Sequence, residues 1–238
     1  MKYLKVQFDL HALAEPKHAA FNAKLVPTLD PARFLGIRMG NLRQLVKDLL
    51  GADRENSTEV VPAFLTTLPH RFVEEDILHM LLLNEQKNYD LWAEQITDFL
   101  PFLDNWMVVD ALGPKILKIH SADLLKLAQT WLDDERTYVR RLGVVAHLLM
   151  LRKVGAATAE VTRIAHLSSD EYYVNMAAGW YLQAAFERYP ELVRELLAED
   201  EQVGVPVRQL ALRKICESRK TPPADLAWAK ELRQKTKA

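Results

Sequence analysis

Four points in the second half of this chain, Trp106, Tyr138, Tyr172 and Pro206, each open an apolar stripe of helical period, and they recur at about 30 to 35 residues. Each stripe is followed by a shorter one. A helix pair of that length cannot bury its apolar face alone, so neighbouring pairs must stack on one another. No long run alternates with period two, which leaves no signal for a sheet. The spacing therefore predicts an all-α chain built from stacked antiparallel helix pairs, an α-α superhelix.

The breaks between stripes have local causes. The chain holds only 8 glycines, and several of the breaks fall at a glycine or a proline. One long stripe runs from Glu135 to Lys153, through Tyr138, Leu142, Val145, Leu148 and Leu149. A second runs from Glu171 to Tyr189, through Val174, Ala177, Tyr181 and Ala185. Pro16 and Pro31 sit where a first helical turn tolerates proline, the second after an Asp30 cap. Gly113-Pro114 interrupts or kinks a helix. Gly155, Pro190, Gly204-Val205-Pro206 and Pro222-Pro223 punctuate the rest. No linker or low-complexity stretch divides the chain, so residues 1–238 are expected to form a single HEAT-like repeat domain, a solenoid without the tetratricopeptide or ankyrin consensus.

Composition narrows the function classes. No apolar run is long enough to span a membrane, and the charged N-terminus, Met1-Lys2-Tyr3-Leu4-Lys5, does not read as a secretion signal. The single cysteine, Cys216, excludes an internal disulfide and fits a reducing, cytoplasmic setting. Cys216 itself reads as a small hydrophobe on a helix. The 7 histidines show no metal-ligand spacing; His70 and His79 are too loosely placed, and all are expected on the surface or on helix faces. No metal site and no cofactor is expected. A net charge of -1 does not describe a protein that coats nucleic acid.

One constellation stands out. In Asn105-Trp106-Met107-Val108-Val109-Asp110 an indole and a carboxylate lie four apart, on one helical face. Later repeats add Arg141 and Trp180, at positions that tend to line the concave side of such a stack. An acid, a cation and two indoles suit a cationic, electron-poor ligand, because indole faces attract cations by roughly 0.5–2 kcal/mol. The same residues also suit an ordinary inter-repeat ion pair, Asp110 with Arg141, and two aromatic core anchors. Arg213, Lys214, Arg219 and Lys220 read first as a solvated helix end, and second as a weak phosphate-contact strip.

The segments DNWMVVD, YVRRLGVV, EYYVNMAAGW and ALRKICESR resemble the signature blocks of the DNA alkylation repair family, the AlkD-type HEAT-like repeat glycosylases. They occur in the family's order between Asp104 and Arg219. The earlier stretch AAFNAKLVPTLDPARFLGIRMGNLRQLVKDLL is similar through its FLGIR-x-x-x-LR-x-L run. The resemblance implies hydrolysis of the N-glycosidic bond of cationic N3- or N7-alkylpurines in duplex DNA, without metal or organic cofactor and without a deep base-flipping pocket. It assigns Asp110 as catalytic and Trp106, Trp180 and Arg141 as substrate-binding; Arg213 and Lys214, from the charged strip, are the candidates for weak backbone contacts. The region matching the family's minor-groove helix is short here and broken by Pro27 and Pro31. In this it resembles a branch, marked by KLxPT…LGxR, DNW and YYVxMAxxW, that lacks the helix. Weak duplex binding is expected unless charge is segregated on the concave face. A non-catalytic HEAT-repeat module that binds DNA or protein is the alternative. Oligomeric state stays open.

Overall fold

The computed structural model describes residues 2–167 and 169–236, with Lys118 as backbone only. Among these residues the chain is all-α and holds no strand. It divides into two compact units, one ending at His120 and the other beginning at Ser121.

The first unit contains α1 (Lys2–Ala12), α2 (Pro16–Leu25), α3 (Met39–Asn56), α4 (Val60–Leu65), α5 (Val73–Leu83), α6 (Tyr89–Phe99) and the single turn α7 (Trp106–Val109). Three-residue or four-residue 3-10 turns sit at Pro31–Arg33, Leu100–Phe102 and Lys115–Lys118. Pro16 occupies the first turn of α2, and the Asp30 carboxylate accepts the Ala32 N–H at the Pro31 turn, as proline at a helix start requires. The helix at Pro31 nevertheless closes after one turn.

The centre of this unit is α5, every residue of which is buried. It contacts α3, α4, α6 and α7. Its first turn carries Glu74, Glu75 and Asp76, a favourable place for acids beside unpaired helical N–H groups. Each carboxylate serves a different segment. Glu74 accepts the backbone N–H groups of Leu35, Gly36 and Ile37. Glu75 accepts those of Arg71 and Phe72 together with the Tyr3 hydroxyl. Asp76 meets the Arg33 guanidinium at 3.0 Å, and that guanidinium also pairs with Asp104. The acids thus tie three loops to one helix end.

The loop at Leu35–Ile37 comes so close to α2 that only glycine fits at its middle. Gly36 has φ +77, and a Cβ there would lie 2.2 Å from the Ala19 nitrogen.

Three of the histidines expected on the surface or on helix faces are buried instead. His70, His79 and His147 are 6, 1 and 2% exposed. His70 Nε2 and His79 Nδ1 are 3.0 Å apart, and the His79 ring stacks on Phe99. Spacing in sequence missed the pair because a loop folds His70 back over α5. Burial pushes His70 down to about 4, with Glu75 opposing weakly, and burial with the neighbouring His70 pushes His79 down to about 3. The unfolded chain takes up these protons near pH 6.5, whereas the folded chain refuses them, so stability falls as pH drops below about 6.5. Asp76 acts oppositely: burial outweighs Arg33 and pushes it up to about 8, so its contribution falls as pH rises from about 4 to 8. Two histidines outweigh one aspartate on the acid side. Urea denaturation across pH 4 to 8 is expected to show greatest stability near pH 6.5, with a decline of several kcal/mol by about pH 4. A flat profile there would refute the buried pair's role.

The second unit contains α8 (Ser121–Leu132), α9 (Thr137–Val154), α10 (Thr158–Ala165), α11 (Tyr172–Phe186), α12 (Pro190–Ala198), α13 (Val205–Glu217) and α14 (Pro223–Lys235). Here the repeat is explicit. α9, α11 and α13 contact one another in turn, and α10 contacts α12. α9 and α11 are each followed by a shorter partner, α10 and α12, and α13 by α14 of its own length, giving two layers of a HEAT-like stack. α9 and α11 are buried over most of their circumference, not on a single stripe, because each lies between neighbours on both sides and a partner beneath. α11 and α13 touch at Gly179, where an added Cβ would stand 2.9 Å from the Leu210 backbone carbon. Gly179→Ala is expected to destabilise the protein by about 1–3 kcal/mol through overpacking, measurable by urea denaturation.

Candidate functional site

The DNW segment forms the start of α7. Asn105 is 0% exposed, and its side-chain oxygen accepts the N–H groups of Met107 and Val108, a strong cap for a very short helix. The turn closes with the Asp110 N–H donating to the Trp106 carbonyl at 2.9 Å. Trp106 and Asp110 therefore occupy opposite ends of one helical turn, on the same side, and both are partly exposed. α7 is far shorter than an opening helix of a repeat. Pro114 and the side chain of Asn84 account for this. Asn84 accepts the Gly113 N–H and donates to the Ala111 carbonyl, both at 2.8 Å, which peels the chain away immediately after Asp110.

Trp106 and Asp110 line a cleft of about 650 Å³ that lies wholly within the first unit. Its floor is apolar: Ile37 from the loop held by Glu74, Leu42 and Val46 from α3, Ile77 and Leu81 from α5. Trp106 is fixed from behind, its indole N–H donating to the Leu25 carbonyl at 3.3 Å. Ionisable groups sit around the rim: His18, Arg43, Lys47, Glu85 and Asp110. Glu85 is paired with Lys115. The cleft thus offers an aromatic and an acid on one wall, apolar surface beneath, and cations on another wall. Sequence reading did not single out Arg43 or Lys47. Their spacing of four on an amphipathic helix was legible, but nothing local pointed them toward α7.

The other expected site residues belong to the second unit. Arg141 on α9 is 4% exposed and donates to the Tyr173 carbonyl at 2.7 Å, so it joins the start of α11 to α9. Trp180 on α11 is partly exposed, and the Arg152 guanidinium lies over its ring at 5.2 Å. One face of this indole already holds a cation, the type of ligand expected for it. Arg213 and Lys214 on α13 both pair with Glu217, at 2.7 and 2.9 Å, and Lys220 pairs with Glu187. Such exposed pairs contribute about 0–1 kcal/mol, so they cost little to exchange for a phosphate. Among the described residues no group of three or more histidine, cysteine or acidic side chains is placed to hold a metal. No helix is long and apolar enough to cross a membrane.

The model of one protein family, described as DNA alkylation repair enzyme, matches residues 6–219. No curated protein and no solved structure matches the chain.

Proposed function

The chain belongs to the DNA alkylation repair enzyme family, and from that premise we propose that it is a monofunctional DNA glycosylase for cationic N3- and N7-alkylpurines in duplex DNA. One observation carries this reading: Asp110 and Trp106, one turn apart, both line the same open cleft. An alkylated purine bears positive charge and is already a good leaving group. It leaves with the electron pair of its bond to C1′, which neutralises the base and develops positive charge on the deoxyribose. Asp110 stabilises that charge and orients a water whose oxygen bonds to C1′; the water's proton passes to the carboxylate or to solvent. Trp106 presents its indole to the cationic base. Because the leaving group needs no acid and the nucleophile is water, the chemistry calls for no metal or organic cofactor.

In this reading Trp180 takes a cationic base or sugar face, Arg141 serves the anionic side of the substrate, and Arg213 and Lys214 make weak backbone contacts. The two units act as parts of a single HEAT-like repeat domain, and the protein works in the cytoplasm. A second reading, a non-catalytic helical-repeat module binding DNA or protein, is favoured by the Arg152 guanidinium over Trp180 and by the pairing of Arg213 and Lys214.

Base release from a duplex carrying 7-methylguanine discriminates between them. Release by the wild-type protein supports the enzyme; none at micromolar protein favours the module. With balanced charge, affinity for undamaged duplex at physiological salt is expected at or weaker than about 10⁻⁴–10⁻⁶ M. Arg141→Ala is expected to flatten the log–log salt dependence by about one unit if the guanidinium reaches a phosphate. Nanomolar affinity in an anisotropy titration would overturn the prediction of weak binding.

A further inference from the structure

The exposed face of α3 breaks two local rules with no structural return. Arg43 and Lys47 stand four apart, so like charges face each other on the helix surface, an arrangement that mildly destabilises an isolated helix. Neither is engaged in an ion pair among the described residues, whereas Arg33, Arg38 and Lys115 of the same unit each pair with a carboxylate. Gly51, in the body of the same helix, is the second departure. A Cβ built there meets nothing within 4 Å, and the same holds for Gly40 at the helix start. Glycine inside a helix is unfavourable relative to alanine, and no neighbour here demands it. Positions 40, 43, 47 and 51 fall within an arc of about 80° at 100° per residue. Two positions without side chains, Gly40 and Gly51, therefore flank two unneutralised cations along the helix.

Those cations also line the cleft that holds Trp106 and Asp110. We infer that this face of α3 is a phosphodiester-binding wall, along which one DNA strand runs with its phosphates on Arg43 and Lys47 while Gly40 and Gly51 let the sugar-phosphate backbone lie close to the helix. The inference rests on the reading of the cleft as a DNA site and adds to it the strand contact. The alkyl stems of Arg43 and Lys47 extend the apolar wall formed by Leu42 and Val46, and their charged heads reach the rim. Of the two carboxylates that line the cleft with these cations, Glu85 is already paired with Lys115, and Asp110 is the acid of the proposed chemistry. The backbone contacts of α3 and the acid and indole of α7 line one cleft, so a nucleotide held by both would span its apolar floor.

The test uses the full chain and an undamaged duplex, titrated by fluorescence anisotropy over a range of salt. The double variant Arg43→Ala/Lys47→Ala is expected to bind at least tenfold more weakly at low salt, with a log–log salt slope flatter by about 1.8 units, 0.9 for each phosphate lost. Gly51→Gln is expected to raise the melting temperature and yet weaken binding several-fold. A purely structural role for these positions would change thermal stability without touching the salt slope. An unchanged slope in the double variant, in a protein whose wild type binds duplex, overturns the inference, as does undiminished binding by Gly51→Gln. Base release from 7-methylguanine duplex, run in parallel, separates the two levels. Release by the wild type with an unchanged slope sinks the α3 wall and leaves the glycosylase standing. A flattened slope without any release keeps the wall and sinks the chemistry. Absence of duplex binding by the wild type at low salt sinks both.

Discussion

Asp110→Asn is expected to lower release of 7-methylguanine by roughly two to three orders of magnitude, the cost of removing one preorganised charge from a transition state. The amide keeps the shape of the side chain and part of its hydrogen bonding, and loses the charge that faces the developing oxocarbenium ion. Asp110 sits at the end of α7 on a partly exposed rim, where the amide fills the same volume. Stability should therefore stay within about 1–2 kcal/mol of wild type, a difference readable by urea denaturation. Loss of the fold in this variant, with no base release by the wild-type protein, would make the aspartate a structural group and end the glycosylase proposal. Trp106→Ala makes a graded companion: it removes the indole face but leaves Asp110 charged, so its loss in release should be smaller.

The largest effect on stability is expected far from that carboxylate, at Glu74. This side chain is buried and accepts three backbone N–H groups, from Leu35, Gly36 and Ile37. Alanine would leave those donors without a partner, at about 1–3 kcal/mol for each that water cannot reach. Glu74→Ala is thus expected to cost on the order of 4 kcal/mol or more, enough to unfold a marginally stable chain at 37 °C. Glu74→Gln retains an acceptor oxygen and should lose less. Because Ile37 is part of the cleft floor, the glutamine variant is also expected to weaken DNA binding. Urea denaturation that finds both variants within about 1 kcal/mol of wild type would show that the loop holds its shape without Glu74.

Much of the second unit could be read in the sequence. The stripes beginning near Tyr138, Tyr172 and Pro206 correspond to α9, α11 and α13, with ends displaced by only a few residues. Their periodicity is set by local burial, which each helix imposes on its own residues. The first unit was far less legible. Glu74-Glu75-Asp76 looks like the acidic start of a solvated helix, and nothing adjacent in sequence tells that each acid serves a different loop. The buried His70–His79 contact depends on the same folding back of the chain. Trp106 reads as the start of a full repeat helix, whereas α7 ends after one turn because Asn84, at the C-terminal cap of α5, captures the backbone beyond it.

The candidate site divides in the same way. Trp106 and Asp110 share a helical face by spacing alone, and the Asn105 cap follows from its type and position. That they line a cleft facing Arg43 and Lys47 could come only from tertiary structure, since α3 and α7 are separated by the whole of α4, α5 and α6. By itself, the sequence determined the all-α class, the repeat period, the family and the residue types available for chemistry, because these depend on composition and short-range periodicity. Tertiary structure alone decided which charges are already paired, which histidines are denied water and which cations remain to meet a ligand. Electrostatic and desolvation energies depend on distance through space, and chain separation carries little information about that distance.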